Sequence, residues 1–245
     1  REVGRAIALY TQAAKWGHAS ALNSLGNLLQ NERKDVDGAE KAYRAAIKAD
    51  PGDADYHFNL GNLLLNERQD VDGAEKAYRA AIKADPGHAD AHCNLGILLK
   101  NERQDVDGAE KAYRAAIEAD PGHADAHCNL GVLLENERQD VDGAEKAYRA
   151  AIEVDPGDAD AHDNLGHLLE NERQDVDGAE KAYRAAIEAD PGHADAHCNL
   201  GVLLENERQD VDGAEKAYRA AIEADPGYAD AHCNLGILLK NERQD

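Results

Sequence analysis

Apolar residues recur along most of this chain at helical spacing, in two patterns that alternate. Between 89 and 101, Ala91, Leu95, Leu98 and Leu99 stand at i, i+4, i+7 and i+8, one stripe of a helix. The polar run "NERQD" that follows predicts a turn. Val106, Ala109, Tyr113, Ala116 and Ile117 then mark the buried face of a second helix. That helix starts after Asp105 or Asp107, and Asp107 with Glu110 has the spacing of an acidic capping box. Pro121 stops it, because proline lacks the N–H and disfavours helical geometry in the residue before it. The two patterns, A then B, return every 35 residues: Asp-Pro-Gly begins at Asp50, Asp85, Asp120, Asp155, Asp190 and Asp225. Helices this short cannot bury their faces alone, so successive pairs must stack into a shared core.

The expected class is all-α, a solenoid of stacked helix-turn-helix repeats with about 14 helices. Counting gives a lone B helix within 1–17, six A/B pairs over 18–227 and a lone A helix within 228–245, one array over 1–245. Leu95, Gly96, Ala109, Tyr113, Ala116 and Pro121 resemble the signature of the tetratricopeptide repeat, a unit of usually 34 residues. His92 stands where that family often has Trp and Leu99 where it often has Tyr, and one extra residue lies in the A–B turn. The opening "ALYTQAAKWGHASALNSLG" is shorter between its helices and looks like a Sel1-like repeat, a relative of the same fold. The resemblance implies a right-handed superhelix whose A helices line a concave peptide-binding groove. Near-identity of the central repeats points to recent duplication or a consensus sequence, and the irregular first repeat favours duplication. The unpartnered helices at both ends imply either a longer protein or end-to-end stacking of copies, a heterologous contact.

Composition narrows the chemistry. The chain is 42% hydrophobic but only 4% aromatic, so its core is aliphatic with one recurring Tyr. A formal net charge of −22 repels phosphate backbones and anionic lipid, which argues against nucleic-acid and membrane partners. No apolar run is long enough to span a bilayer. Cys93, Cys128, Cys198 and Cys233 share one place in their repeats, roughly 10 Å apart at helix-packing distance. A disulfide needs Cα atoms within about 7 Å, so free thiols and a reducing, cytoplasmic setting are expected.

Comparing repeats within the chain isolates places that change. The first holds Phe58, Cys93, Cys128, Asp163, Cys198 and Cys233; the second Asn62, Ile97, Val132, His167, Val202 and Ile237. The third holds Leu65, Lys100, Glu135, Glu170, Glu205 and Lys240, and a fourth, before helix A, Asp53, His88, His123, Asp158, His193 and Tyr228. Spacings of four and three put the first three on one helix face, away from the leucine stripe, which reads as variation outside the core. The "NERQD" turn should be equally exposed yet is constant from residue 66 on, so free drift does not explain the pattern. Through the resemblance, the changing residues are the contact surface for a peptide. A constant Asn row (Asn59, Asn94, Asn129, Asn164, Asn199 and Asn234) either pairs with a bound backbone or fixes helix stacking. The constant Asp55, Asp90, Asp125, Asp160, Asp195 and Asp230 are expected to cap the A helices while biasing the groove toward cations.

Sharper chemistry finds little support. His88 and His92 stand at i and i+4, but the first precedes the helix and the second sits where the family packs a ring. Asp160, Asp163, His167 and Glu170 span roughly 15 Å of helix, too far to share one metal ion. Each Cys follows a His directly, about 100° around the helix rather than facing it, and no nucleotide-binding glycine motif occurs. The expectation is a noncatalytic scaffold without cofactor or metal. Its partner is a protein or peptide, an extended basic segment held on the A helices, with Asp163, His167 and Glu170 the most distinctive contacts.

Overall fold

A computed structural model describes residues 2–242. Arg1 and residues 243–245, which the pattern gave to the first and last helices, lie outside the described residues. The chain divides into two compact units, 1–121 and 122–245. In the first unit α1 is Glu2–Ala14, α2 Ala19–Arg33, α3 Val36–Ala49, α4 Ala54–Asn66, α5 Val71–Ala84, α6 Ala89–Arg103 and α7 Val106–Ala119. In the second α8 is Ala124–Arg138, α9 Val141–Val154, α10 Ala159–Asn171, α11 Val176–Ala189, α12 Ala194–Asn206, α13 Val211–Ala224 and α14 Ala229–Glu242. No strand occurs among the described residues, and no described helix is long and apolar enough to cross a membrane.

Within each unit an A helix packs most extensively on the B helix that follows it, and each B helix then meets the next A helix. The core inside a pair is Leu95, Leu98 and Leu99 of α6 against Ala109, Ala112, Tyr113 and Ala116 of α7, all buried. Tyr113 is 1% exposed. Its ring lies over Gly96, where an added Cβ would stand 2.6 Å from Cε1. Glycine is required there because the ring fills the space a side chain would take. The same contact recurs at Gly61 with Tyr78, Gly131 with Tyr148, Gly166 with Tyr183 and Gly201 with Tyr218.

The polar turn is built, not slack. Gln69, Gln104, Gln139, Gln174 and Gln209 take left-handed backbone with φ of 55–56°. The next N–H closes back onto the helix, Asp105 N on Leu99 O at 2.9 Å, which satisfies an end carbonyl. Helix B then begins at Val106, with Asp105 as its cap accepting the Gly108 N–H at 2.9 Å. The capping box proposed for Asp107 and Glu110 is therefore replaced by an Asp105 cap. The arginine of each turn reaches the preceding B helix: Arg103 donates from Nε to Glu75 at 3.0 Å and from Nη2 to Asp72. Arg68, Arg173 and Arg208 repeat this on their own neighbours. These guanidiniums hold Asp37, Asp72 and Asp177 below the usual carboxylate range. Glu75 also accepts from Arg79 one turn on, at 2.9 Å. The constancy of "NERQD" and of the following acids thus has a structural cause. It gives no independent sign that the changing places were selected for binding.

Gly96→Ala is expected to destabilise the chain by about 1–3 kcal/mol, the usual range for overpacking a tight contact. In a Tyr113→Leu background the same change should cost much less, which urea unfolding of both pairs of variants checks.

Candidate functional site

The structure leaves only part of the expected A-helix contact surface open. Cys93 and Cys198, at the first changing place, are 2% and 4% exposed. Phe58 packs partly buried against Ala54, Ala81 and Ala91, its ring 4.9 Å from that of His88. The place lies between neighbouring A helices, so its variation is partly variation of packing. Helical angle alone missed this, because the leucine stripe faces the B helix while this place faces the next repeat.

The Asn row explains what that place must supply. In the first unit Asn59 Nδ2 donates to Asn23 Oδ1 at 3.1 Å. In the second, Asn199 Nδ2 donates to both carboxylate oxygens of Asp163, at 3.1 and 3.3 Å. Asn164 and Asn234 donate to the sulfurs of Cys128 and Cys198, each at 3.7 Å. Phe58 offers no acceptor, and Asn94 turns instead to Asn62 Oδ1, at 2.9 Å. Of the two roles open to the row, the structure shows the stacking one. Asn129 holds the same place in α8.

In the second unit the third changing place serves the buried tyrosine of its own repeat. Tyr148 donates to Glu135 at 2.7 Å, Tyr183 to Glu170 at 2.8 Å and Tyr218 to Glu205 at 2.9 Å. Where Leu65 cannot accept, Tyr78 donates to Asn62 at 2.8 Å. Tyr43 has both Asn27 and Gln30, at 2.6 and 3.0 Å. Burial pushes the phenols up, Tyr43 and Tyr78 to about 12. Tyr148 and Tyr183 go higher, since the carboxylates they bond to add to the effect of burial.

The fourth place, not the constant aspartate, caps helix A. His88, His123 and His193 accept on Nδ1 from Ala91, Ala126 and Ala196, and Asp158 accepts from Ala161 at 2.9 Å. The constant Asp160 faces His193 Nε2 of the next repeat at 3.0 Å, and Asp195 accepts from Tyr228. The capping role expected of the aspartates is corrected accordingly. His92 turns Nε2 to the Pro86 carbonyl at 3.0 Å, as His57, His162, His197 and His232 do to theirs. His88 and His92 are therefore each engaged with separate groups. Asp160, Asp163, His167 and Glu170 also go to four different partners.

What remains open to a ligand differs between the units. On the first, Phe58, Asn62, Leu65, Ile97 and Lys100 are half-buried and of mixed character. On the second, Glu135, Asp163, Glu170 and Glu205 are half-buried, beside the exposed Asp160, Asp195 and Asp230. Among them stands His167, its side chain 59% exposed, with Nδ1 3.4 Å from Glu135 Oε1. The bond to Glu135 raises its pKa against the pull of burial, and the charges of Asp163 and Glu170 add to the rise. Burial pushes Glu135 up, but bonds from His167 and Tyr148 outweigh it and leave the carboxyl below its ordinary value. Burial also raises Asp163, the Asn199 N–H offsetting part of it. The thiols are free, and burial pushes Cys128 up to about 12 and raises Cys198, which makes both poor nucleophiles.

A fifth changing place escaped the sequence comparison although the same alignment displays it. The last turn of helix B holds Lys48 and Lys83, then Glu118, Glu153, Glu188 and Glu223.

The tetratricopeptide repeat profile matches residues 1–54, 25–89, 58–105, 102–159, 133–180 and 164–229, almost the whole chain. The chain belongs to the tetratricopeptide repeat family. Among solved structures it is similar to YrrB, described as a family member with an unusual peptide-binding site. Identity there is 27%, over 79% of this chain and 97% of YrrB, with a TM-score of 0.60. Pseudomonas aeruginosa PilF shares the fold at 20% identity, with 95% of this chain and 97% of PilF covered and a TM-score of 0.72. The Cut9–Hcn1 structure does so at 15% identity and a TM-score of 0.75, covering 97% of this chain and 46% of the other. No curated protein is significantly similar to the chain. Members of this family are protein-interaction scaffolds, and that coarse function extends to this tetratricopeptide repeat protein.

The His167–Glu135 pair sets a pH window. A raised imidazole pKa contributes stability that is complete below the unfolded value, about 6.5, and is lost as pH rises through the folded one. The lowered Glu135 pKa contributes above about 4.3 and is lost as pH falls through its folded value. Histidine NMR titration should place His167 above the ordinary imidazole value of about 6.5, and Glu135→Gln should lower it.

Proposed function

We propose that the protein is a noncatalytic scaffold whose second unit holds a basic, extended segment on its A-helix face. The observation that carries this is the imbalance of charge across α8, α10 and α12. Glu135, Asp163, Glu170 and Glu205 line it with Asp160 and Asp195, and the groups facing them that can carry a positive charge are the imidazoles of His167, beside Glu135, and His193, beside Asp160. Each carboxylate bonded to a tyrosine still has lone pairs to offer a cation. The family's interaction role and the peptide-binding site named for YrrB support the reading. A single peptide held this way fits micromolar affinity, about −8 kcal/mol.

A second reading rests on the end helices. A Cβ added at Gly236 of α14 would meet no neighbouring side chain within 4 Å, whereas one added at Gly201 would stand 2.6 Å from the Tyr218 ring. On α1, Leu9 is 71% and Tyr10 36% exposed, whereas the other B-helix tyrosines are buried. The α1 of one copy therefore suits the α14 of another, a contact that would propagate as open stacks.

Selection of a random peptide library separates the two readings. The chain is compared with an Asp163→Cys, His167→Asn, Glu170→Leu variant, which borrows acceptors that α4 and α12 already use. Basic peptides should enrich on the parent and bind the variant roughly tenfold more weakly, about 1.4 kcal/mol; equal binding would remove the groove reading. For stacking, sedimentation mass should rise with concentration and stop rising in Gly236→Glu. A constant monomer mass would exclude it.

A further inference from the structure

We propose that the B-helix side of the first unit is a separate docking surface for acidic segments carrying bulky apolar side chains. Between α3 and α5, over α4, lies a groove of 440 Å³ floored by Ile47, Leu60, Leu64 and Ala77. Its successor between α5 and α7, over α6, has 560 Å³ and the matching floor of Ile82, Leu95, Leu99 and Ala112. The rim of the first carries Arg44, Lys48 and Lys76, with no carboxylate among its lining residues. The second has Arg79, Lys83 and Lys111 against one acid, Asp105, whose Oδ1 accepts the Gly108 N–H.

The arginines are occupied, since Arg44 pairs with Glu40 and Arg79 with Glu75, each at 2.9 Å. Lys48, Lys76, Lys83 and Lys111 have no carboxylate within ion-pair distance among the described residues. In a chain of net charge −22, unpaired cations around two successive apolar slots are a local reversal of sign.

The second unit supplies the contrast. Its grooves, each of 460 Å³, keep the same floor, but Glu153 and Glu188 stand where the first unit has Lys48 and Lys83. Lys181 and Lys216 remain, and Asp175 and Asp210 line the grooves as Asp105 lines the second groove of the first unit. Arginine and lysine there are balanced by acids, so the apolar floor is shared by both units and the positive rim is not. Charge complementarity selects an acidic partner for the first unit only. The apolar floor selects side chains such as Leu or Phe as anchors, with carboxylates placed toward the lysine rim. This surface is distinct from the A-helix face and calls for a partner of opposite charge.

Fluorescence anisotropy with the full chain tests it, using a pool of short labelled peptides drawn from Asp, Glu, Leu and Phe. A second pool drawn from Lys, Arg, Leu and Phe reports the A-helix face. Lys48→Glu with Lys83→Glu copies what four B helices of the chain already carry, so the fold should survive, and circular dichroism checks that it does. The acidic pool should bind the parent and lose about tenfold in affinity in that variant, with the basic pool unaffected. Glu153→Lys with Glu188→Lys should raise binding of the acidic pool. Absence of acidic binding, or equal binding by all three proteins, overturns the proposal. So does self-association through these lysines with the acidic pool unbound, which would assign the grooves to a second copy.

Discussion

The contact on which each repeat depends is a tyrosine ring laid on a glycine of the preceding helix. It brings the two helix axes close enough for the leucines and alanines around it to meet, and it buries the aromatic body almost completely. Burial raises a second demand, because the phenol hydroxyl arrives at the far side of helix A and must find an acceptor there. Glu135, Glu170 and Glu205 answer it directly, and Asn62 answers it where Leu65 cannot. The core therefore reaches through to the face proposed for ligand contact and restricts what can stand on it. Part of the acidity of the second unit is a consequence of satisfying tyrosines.

The fold was legible because two helical periods, one proline stop and one strict repeat length all pointed to the same arrangement. Helix A and helix B appear where Ala91–Leu99 and Val106–Ile117 place them, and the single buried tyrosine per repeat is the one the apolar pattern selected. The site was less legible. A helical wheel separates Cys198 from the leucines but carries no information about the next repeat, so it marks a 4%-exposed residue as surface. Likewise Asn199 and Asp163 lie 36 residues apart, and nothing local announces that one donates to the other. The capping expected of the first-turn aspartates falls to the residue two positions earlier, because sequence spacing does not tell a cap from the second residue of the helix.

Charge has been divided between faces and between units despite near-identical repeats. The A side of the second unit gathers carboxylates, whereas the B side of the first unit gathers lysines with no carboxylate at ion-pair distance among the described residues. Both patterns arise from single-letter changes between repeats that share one backbone arrangement and one set of buried leucines, alanines and tyrosines. A lysine in the last turn of helix B also favours the helix dipole, and the glutamate that replaces it from α7 onward opposes it. The replacement is thus not explained by helix stability.

The bond that Asn59, Asn94, Asn164, Asn199 and Asn234 make to the repeat before them has a genetic consequence. Amide oxygen, thiol sulfur and carboxylate all accept it, so a unit copied or reordered by unequal recombination meets a compatible neighbour. Phe58 is the exception, and its helix carries Asn62 as the substitute acceptor, so the remedy travels with the defect. Units with this property are interchangeable parts, and the array can lengthen or shorten by whole repeats without new compensating changes.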